Sequence, residues 1–450
     1  MVSGLSDTIF ADSSGQGRAS LMVFRLSGNG VKQVLQTLVG KLPPPRYASL
    51  CNIKNEKSEI IDNALVIFFP APHSYTGEDM AELQCHASRA IKQALSDLLA
   101  NIHGLRMAEP GEFSYRAFRY GKINLIEAEA INDLAMAETE WQRKTALAQW
   151  RGDKGSLSQW LITYREKLIS LKAFFETLID FYDMDIPQDL AEQNLKELAH
   201  WIVDTKKLTD DNRATLRQNG ITIAIIGAPN VGKSSLINLL AKREVAIVSS
   251  TAGTTRDVIE LHLDMFGYRV VFYDTAGLRR SKNKLEKLGI AKAEHLADIA
   301  DIRIIIKDIF LEGKDVANTK WQKQKTDIVL ANKADIITDN DLKKKLTSFL
   351  AKGDIVFSTK TDIGMAQFLK KLCSSIEILA GGTLQGITND RQRAALQKSL
   401  HHAELAYLAT SSDIAAEELK LAIEPLDMLL GYTTNDDMLG IIFQNFCIGK

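Results

Sequence analysis

The residues best equipped for chemistry run Gly227-Ala228-Pro229-Asn230-Val231-Gly232-Lys233-Ser234, a full GxxxxGK[ST] pattern. Glycines let the backbone turn tightly, so that successive N–H groups wrap phosphate oxygens. A helix starting at Ser234 adds unpaired donors and the positive end of its dipole. Lys233 is placed to reach the β- and γ-phosphates, and the Ser234 hydroxyl suits Mg²⁺. Two later segments select the base and the metal. Asp274-Thr275-Ala276-Gly277 follows the apolar run 270–273 (VVFY); an aspartate there holds Mg²⁺ through water, and Gly277 offers an N–H to the γ-phosphate. Asn332-Lys333-Ala334-Asp335 follows the apolar run 328–331 (IVLA). A fixed carboxylate accepts two hydrogens from guanine N1 and N2. Adenine offers neither and leaves a costly unpaired group, so the pattern favours GTP over ATP. Ser358-Thr359-Lys360 is a weaker candidate for a second base-side loop.

Between these segments lies Ser249-Ser250-Thr251-Ala252-Gly253-Thr254-Thr255-Arg256-Asp257. A loop in this place can close over the γ-phosphate and Mg²⁺, with Thr255 as the expected ligand. Leu278 stands where many small GTPases carry a water-orienting glutamine, and leucine cannot take that role. Glu286 is one candidate replacement; a solvated acid in the charged stretch 279–287 is the other reading.

These loops need a sheet to hold them. The run 221–226 (ITIAII) is continuously apolar, as a strand covered on both faces must be, and 302–306 (IRIII) repeats the texture. Residues 218–380 thus read as an α/β nucleotide-binding domain. Residues 123–217 and 381–450 carry helical periodicity: Leu125, Ala128, Ile131 and Leu134 in one, Leu396, Leu400, Ala403 and Tyr407 in the other. The simplest architecture inserts the α/β domain into an all-helical domain, and independent domains in series are the alternative. Residues 1–122 alternate short strands, such as 21–26 (LMVFRL) and 64–69 (ALVIFF), with turns. Residues 80–100 have helical spacing without glycine or proline, giving a mixed α+β N-terminal domain.

Composition narrows the classes. The chain has 450 residues, and its net charge of −1 argues against a highly basic nucleic-acid coat protein. Its four cysteines, Cys51, Cys85, Cys373 and Cys447, form no CxxC pair, in keeping with a reducing compartment. No apolar stretch approaches a membrane span and no basic-then-apolar leader opens the chain, so a cytoplasmic protein is expected.

Several motifs in order resemble the bacterial MnmE/TrmE family of tRNA-modification GTPases: Ser74-Tyr75-Thr76-Gly77-Glu78-Asp79, Pro110-Gly111-Glu112-Phe113-Ser114, Arg116-Ala117-Phe118, the phosphate loop, Gly253-Thr254-Thr255-Arg256-Asp257, Asp274 to Arg279, and Phe446-Cys447-Ile448-Gly449-Lys450. The resemblance spans essentially the whole chain. It implies an N-terminal folate-binding and dimerisation domain, a two-segment helical domain and an inserted GTPase domain. It further implies a heterotetramer with a flavin-dependent partner (MnmG, or GidA). Together they install carboxymethylaminomethyl or aminomethyl groups at C5 of wobble uridine-34 in certain tRNAs.

The implied GTP-binding set is Asn230, Val231, Gly232, Lys233, Ser234, Ser235, Ser249, Ser250, Thr251, Ala252, Gly253, Thr254, Thr255, Asp274, Thr275, Ala276, Gly277, Asn332, Lys333, Asp335, Ser358, Thr359 and Lys360. Ser234 and Thr255 would hold Mg²⁺. Asn230, Ser249, Thr251 and Thr254 would hold K⁺. Glu286 would orient water, with Lys233 and Thr255 completing the catalytic set. Arg25, Glu82, Lys122 and Lys450 would bind 5-formyltetrahydrofolate or a related tetrahydrofolate. The chain departs from the family pattern at Gly15 to Ser20 and at His86-Ala87-Ser88. The competing function is a GTP-dependent switch or assembly factor with no direct part in tRNA modification.

Overall fold

The structure is a computed structural model and describes residues 6–15, 19–152, 156–180, 188–228, 230–247, 260–274, 295–310, 324–337, 349–351, 353–382, 386–433 and 436–449. The expected site residues 249–255, 275–277, Glu286 and Lys450 lie outside them, as does the side chain of Asp274. The chain divides into two compact units. One comprises Met1–Ala135, Gln149–Trp201 and Lys398–Lys450, and the other Met136–Ala148 and Ile202–Gln397.

The first unit holds β1 (Thr8–Asp12), β2 (Leu21–Ser27), α1 (Val31–Val39), β3 (Ser49–Lys54), β4 (Ile60–Phe69), β5 (Met80–His86), α2 (Arg89–Asn101), β6 (Leu105–Met107), α3 (Glu112–Arg119) and α4 (Leu125–Met136). Its sheet has the order β3-β4-β5-β2-β1-β6. Residues 80–86 form a strand rather than the expected start of a helix. Ala81, Leu83 and Cys85 are buried while Glu82, Gln84 and His86 are more exposed, the two-residue period of a half-covered strand. The helix begins only after Ser88, whose hydroxyl accepts from the Ile91 N–H as an N-cap. The departure at His86-Ala87-Ser88 therefore lies where the strand passes into α2, not inside a helix.

Next come α5 (Glu140–Trp150), α6 (Leu157–Asp180), α7 (Gln188–Asp210) and α8 (Arg213–Asn219). In the second unit, β7 (Ile221–Ile226), α9 (Lys233–Arg243), β8 (Val245–Ala246), β9 (Glu260–Met265), β10 (Tyr268–Asp274), β11 (Ile302–Asp308), β12 (Ile328–Asn332) and β13 (Ile355–Val356) supply a sheet ordered β13-β12-β11-β7-β10-β9-β8. Strands β13, β12, β11, β7 and β10 run parallel. Ile221, Ile223, Ile225, Val270, Phe272, Ile304 and Leu330 build its core. Helix α10 (Met365–Ala380) closes that domain, and α11 (Asp390–Tyr407), α12 (Ser412–Leu430) and α13 (Asp436–Gln444) return to helical structure.

The second unit reaches beyond residues 218–380 because neighbouring helical residues pack on its sheet. Trp141 stacks on Tyr268 with ring centres 5.1 Å apart, and its backbone N–H donates to the Gly267 carbonyl at 3.1 Å. The buried Arg217 guanidinium lies 5.7 Å from the Trp141 ring centre. In the other unit α6 and α12 pack together, tied by the Arg165–Asp427 ion pair. Among the described residues no helix is long and apolar enough to cross a membrane.

Candidate nucleotide-binding site

The central strand β7 has β10 on one side and β11 on the other. A ligand cleft forms at the carboxyl ends of strands where the order reverses in this way. The phosphate loop leaves β7 there. Gly227 adopts φ 159°, and a Cβ at that position would lie 2.4 Å from the Ile306 carbonyl oxygen. Gly232 adopts φ 107°, and its Cβ would lie 2.3 Å from Asn332 Nδ2. Asn230 is also left-handed, with φ 60°. Helix α9 begins at Lys233, directly after Gly232, so its first N–H groups border the loop. The Lys233 ammonium turns back and donates to the carbonyls of Gly227 and Ala228, both at 2.7 Å. It is therefore held over the concave side of the loop, where phosphate oxygens compete for its protons.

The base-side segments converge on the same edge. Asn332 is buried and bridges two loops: Nδ2 donates to the Val231 carbonyl at 2.6 Å, and Oδ1 accepts from the Thr359 N–H at 3.1 Å. The Ser358 hydroxyl donates to Asp335 Oδ1 at 2.7 Å while accepting from the N–H groups of Lys360 and Thr361. Asn332, Asp335, Ser358, Thr359 and Lys360 are thus brought together beside Val231 and Gly232. Asp308, absent from the sequence expectations, joins them by pairing with Lys333 at 2.6 Å. An aspartate at the end of one strand carries no local motif, so nothing in the sequence pointed to it.

The residues fit a magnesium nucleotide. The glycine cradle has no room for side chains, and Ser234 and Ser235 are exposed at the start of α9. The Mg²⁺ role expected of Thr255 and the K⁺ roles expected of Ser249, Thr251 and Thr254 fall on residues outside the described set. Of the expected K⁺ ligands, Asn230 alone is described.

Of the expected folate residues, Arg25, Glu82 and Lys122 are described and Lys450 is not. Arg25 and Glu82 face each other across β2 and β5 and share a cavity of about 400 Å³ with Phe69, Tyr75, Met80, Ile131, Leu134, Ala135 and Trp150. Arg25 donates to Glu82 Oε1 through Nε at 3.1 Å and Nη2 at 2.9 Å, and to the Gly449 carbonyl through Nη1 at 3.2 Å. Its charge is thus already met by Glu82. Lys122 lines a different depression, with Arg119, Glu127 and Tyr432. Tyr75, named in the Ser74–Asp79 motif but not in the expected folate set, lines the cavity and hydrogen-bonds Ser114 at 2.8 Å, and burial pushes its phenol above the ordinary value.

The N-terminal motifs meet in a buried ionic cluster. Arg116 pairs with Glu78 at 2.9 Å and Glu112 at 3.0 Å, and Arg106 pairs with Glu112 at 2.7 Å. Burial pushes the Glu112 carboxyl upward, but hydrogen bonds from Arg106, the Glu109 N–H and Arg116 outweigh it and hold the group below its usual range.

A parallel sheet that delivers a phosphate loop and an Asn–Asp base loop to one cleft places the molecule among the P-loop GTPases. Two family models then account for nearly the whole chain: the GTP-binding protein TrmE N-terminus over residues 8–122 and the MnmE helical domain over residues 125–447. The chain belongs to the bacterial MnmE/TrmE family of tRNA-modification GTPases. It is 41% identical over 449 residues to the tRNA modification GTPase MnmE of Paramagnetospirillum magneticum, covering 99% of this chain and 100% of the relative. The corresponding protein of Pelagibacter ubique is 40% identical over 456 residues, with 98% and 100% covered.

Proposed function

We propose that the protein hydrolyses GTP to GDP and phosphate in a K⁺-dependent manner and couples this to tRNA modification. With a flavin-dependent partner of the MnmG type, it would help install carboxymethylaminomethyl or aminomethyl groups at C5 of wobble uridine-34. The observation that carries the GTP reading is the Asn332 bridge, which ties phosphate loop and base loop into one pocket. Asp335 accepts the two guanine hydrogens, and Ser358 fixes its carboxylate. Lys233 and the α9 N-terminus bind and orient the phosphates. Bound Mg²⁺ and K⁺ would offset charge on the phosphate oxygens, with Ser234 and Asn230 among the residues that hold them. Glu286 would orient the attacking water in place of the missing glutamine.

The cavity beside Arg25 and Glu82 supports a tetrahydrofolate of the 5-formyl class as the one-carbon source. Its apolar and aromatic lining suits a flat heterocycle, and the Glu82 carboxylate suits ring N–H donors. Because Arg25 is paired with Glu82, the polyanionic folate tail would need another cation, and Lys122 lines a separate depression. A homodimer joined through the N-terminal domain and a cytoplasmic setting complete the proposal.

The test combines two measurements. Phosphate release by the purified chain is compared in KCl and NaCl, and wobble nucleosides are weighed by mass spectrometry in cells lacking the gene. Faster release in KCl together with loss of the C5 substituent is expected. Intact wobble nucleosides with active hydrolysis would leave a GTP-dependent switch as the function.

A further inference from the structure

The Lys333–Asp308 pair has a geometry that the guanine reading alone does not require. Asp308 closes β11 and is the register partner of Asn332 at the end of β12. The strands stay joined one step further, where the Ile309 N–H donates to the Asn332 carbonyl at 3.2 Å. Lys333 then turns left-handed, with φ 73°. That turn is uncommon for a lysine, and it sends the chain towards Asp335. Its ammonium nevertheless reaches Asp308 Oδ2 at 2.6 Å. The Asp308 side chain is only 7% exposed, and its other oxygen accepts from the Phe310 N–H at 3.0 Å. Both ends of Lys333 are therefore fixed, one by the backbone turn and one by a carboxylate that is itself held.

We propose that Asp308 is a specificity-positioning residue, which stretches Lys333 so that its methylene stem forms the shelf under the guanine ring. This rests on the reading that Asp335 recognises guanine. A lysine stem offers apolar surface while its head stays paired. A free Lys333 ammonium would swing towards the phosphates, where Lys233 already provides a cation, and the shelf would be lost. The mutual neutralisation also keeps an unpaired carboxylate out of the base cleft.

A double-mutant cycle tests this, read by the dissociation rate of fluorescent GDP from the full chain. Asp308→Asn is nearly isosteric and keeps an acceptor for Phe310, and it should speed release about tenfold through loss of a charge-assisted bond. In a Lys333→Met background the same change should have no further effect, because the residue it acts through is gone. Equal acceleration in both backgrounds would make Asp308 a loop-structural residue, and an unchanged rate would dismiss it. Asp308→Ser gives the same comparison if the amide variant does not fold. Asp335→Asn separates the two ideas, since its amide can donate to the C2 carbonyl of xanthine. If that variant does not shift preference from guanine towards xanthine nucleotides, the base-pocket reading itself falls. If preference shifts while the cycle shows no coupling, the Asp308 proposal alone falls.

Discussion

Removing the Asn332 side chain should weaken nucleotide binding far more than its size suggests. Asn332→Ala deletes two hydrogen bonds at once and leaves the Val231 carbonyl buried without that donor. An unsatisfied buried acceptor costs about 1–3 kcal/mol, and the half-buried Thr359 N–H adds about 1 kcal/mol. The sum, about 2–4 kcal/mol, corresponds to a loss of roughly 30- to 900-fold in affinity if all of it falls on the bound state. Asn332→Asp is the informative companion. It keeps an acceptor for Thr359 but sets a carboxylate oxygen against the Val231 carbonyl. It should therefore bind worse than the alanine variant at pH 8 and recover at pH 5, where a protonated carboxyl can donate. Equilibrium titration with fluorescent GDP reads both variants. Binding by Asn332→Ala within threefold of the unaltered chain would refute the idea that this residue couples the two loops.

Three further outcomes are expected. Glu286→Ala should bind GTP within about twofold of the parent and hydrolyse it at least about tenfold more slowly; a large loss of nucleotide affinity, seen by calorimetry, would assign Glu286 to binding instead. Arg25→Met should weaken 5-formyltetrahydrofolate binding by about tenfold or more, because it leaves the Glu82 carboxylate uncompensated in the cavity; an unchanged calorimetric titration would remove the folate from that place. Asp133 has its carboxyl pushed up to about 7, first by burial and then by the charge of Glu129. Folding then retains a proton that the unfolded chain releases above its ordinary 3.8, so stability falls as pH rises towards 7. Asp133→Asn should consequently melt above the parent at pH 8 and converge with it by pH 4, and a gap independent of pH would contradict the shift.

The parallel strands were legible because burial on both faces demands uninterrupted apolar runs, as in 221–226 and 302–306. The glycine loop was legible because its constraints are local, a few consecutive backbone groups meeting one anion. Strand β5 was not, since the absence of glycine and proline between residues 80 and 100 does not distinguish a strand from a helix. The two-residue alternation in Ala81, Leu83 and Cys85 and the Ser88 cap carried that information instead. The Asn332 bridge joins residues 101 and 27 positions apart. Asp308 and Lys333 are 25 positions apart. Such pairings are fixed by strand register, which one sequence does not display. That Arg25 and Lys122 line different depressions is likewise a product of tertiary placement; the family resemblance had put them in one set.

The hydrogen bond from Arg25 to the Gly449 carbonyl joins residues 424 positions apart, and Ser13 donates to the same carbonyl. A ribosome adding about 5–20 residues per second needs roughly 20 to 85 seconds to make the stretch between them. The strands β3 to β6 of the first sheet are made early in that interval, while the carbonyl that Arg25 and Ser13 bind comes at its end. Strand pairing there can proceed early, but Arg25 and Ser13 gain this shared partner only when the distant segment docks. The side chain that faces Glu82 across the sheet is thereby held in its final place only on a finished chain.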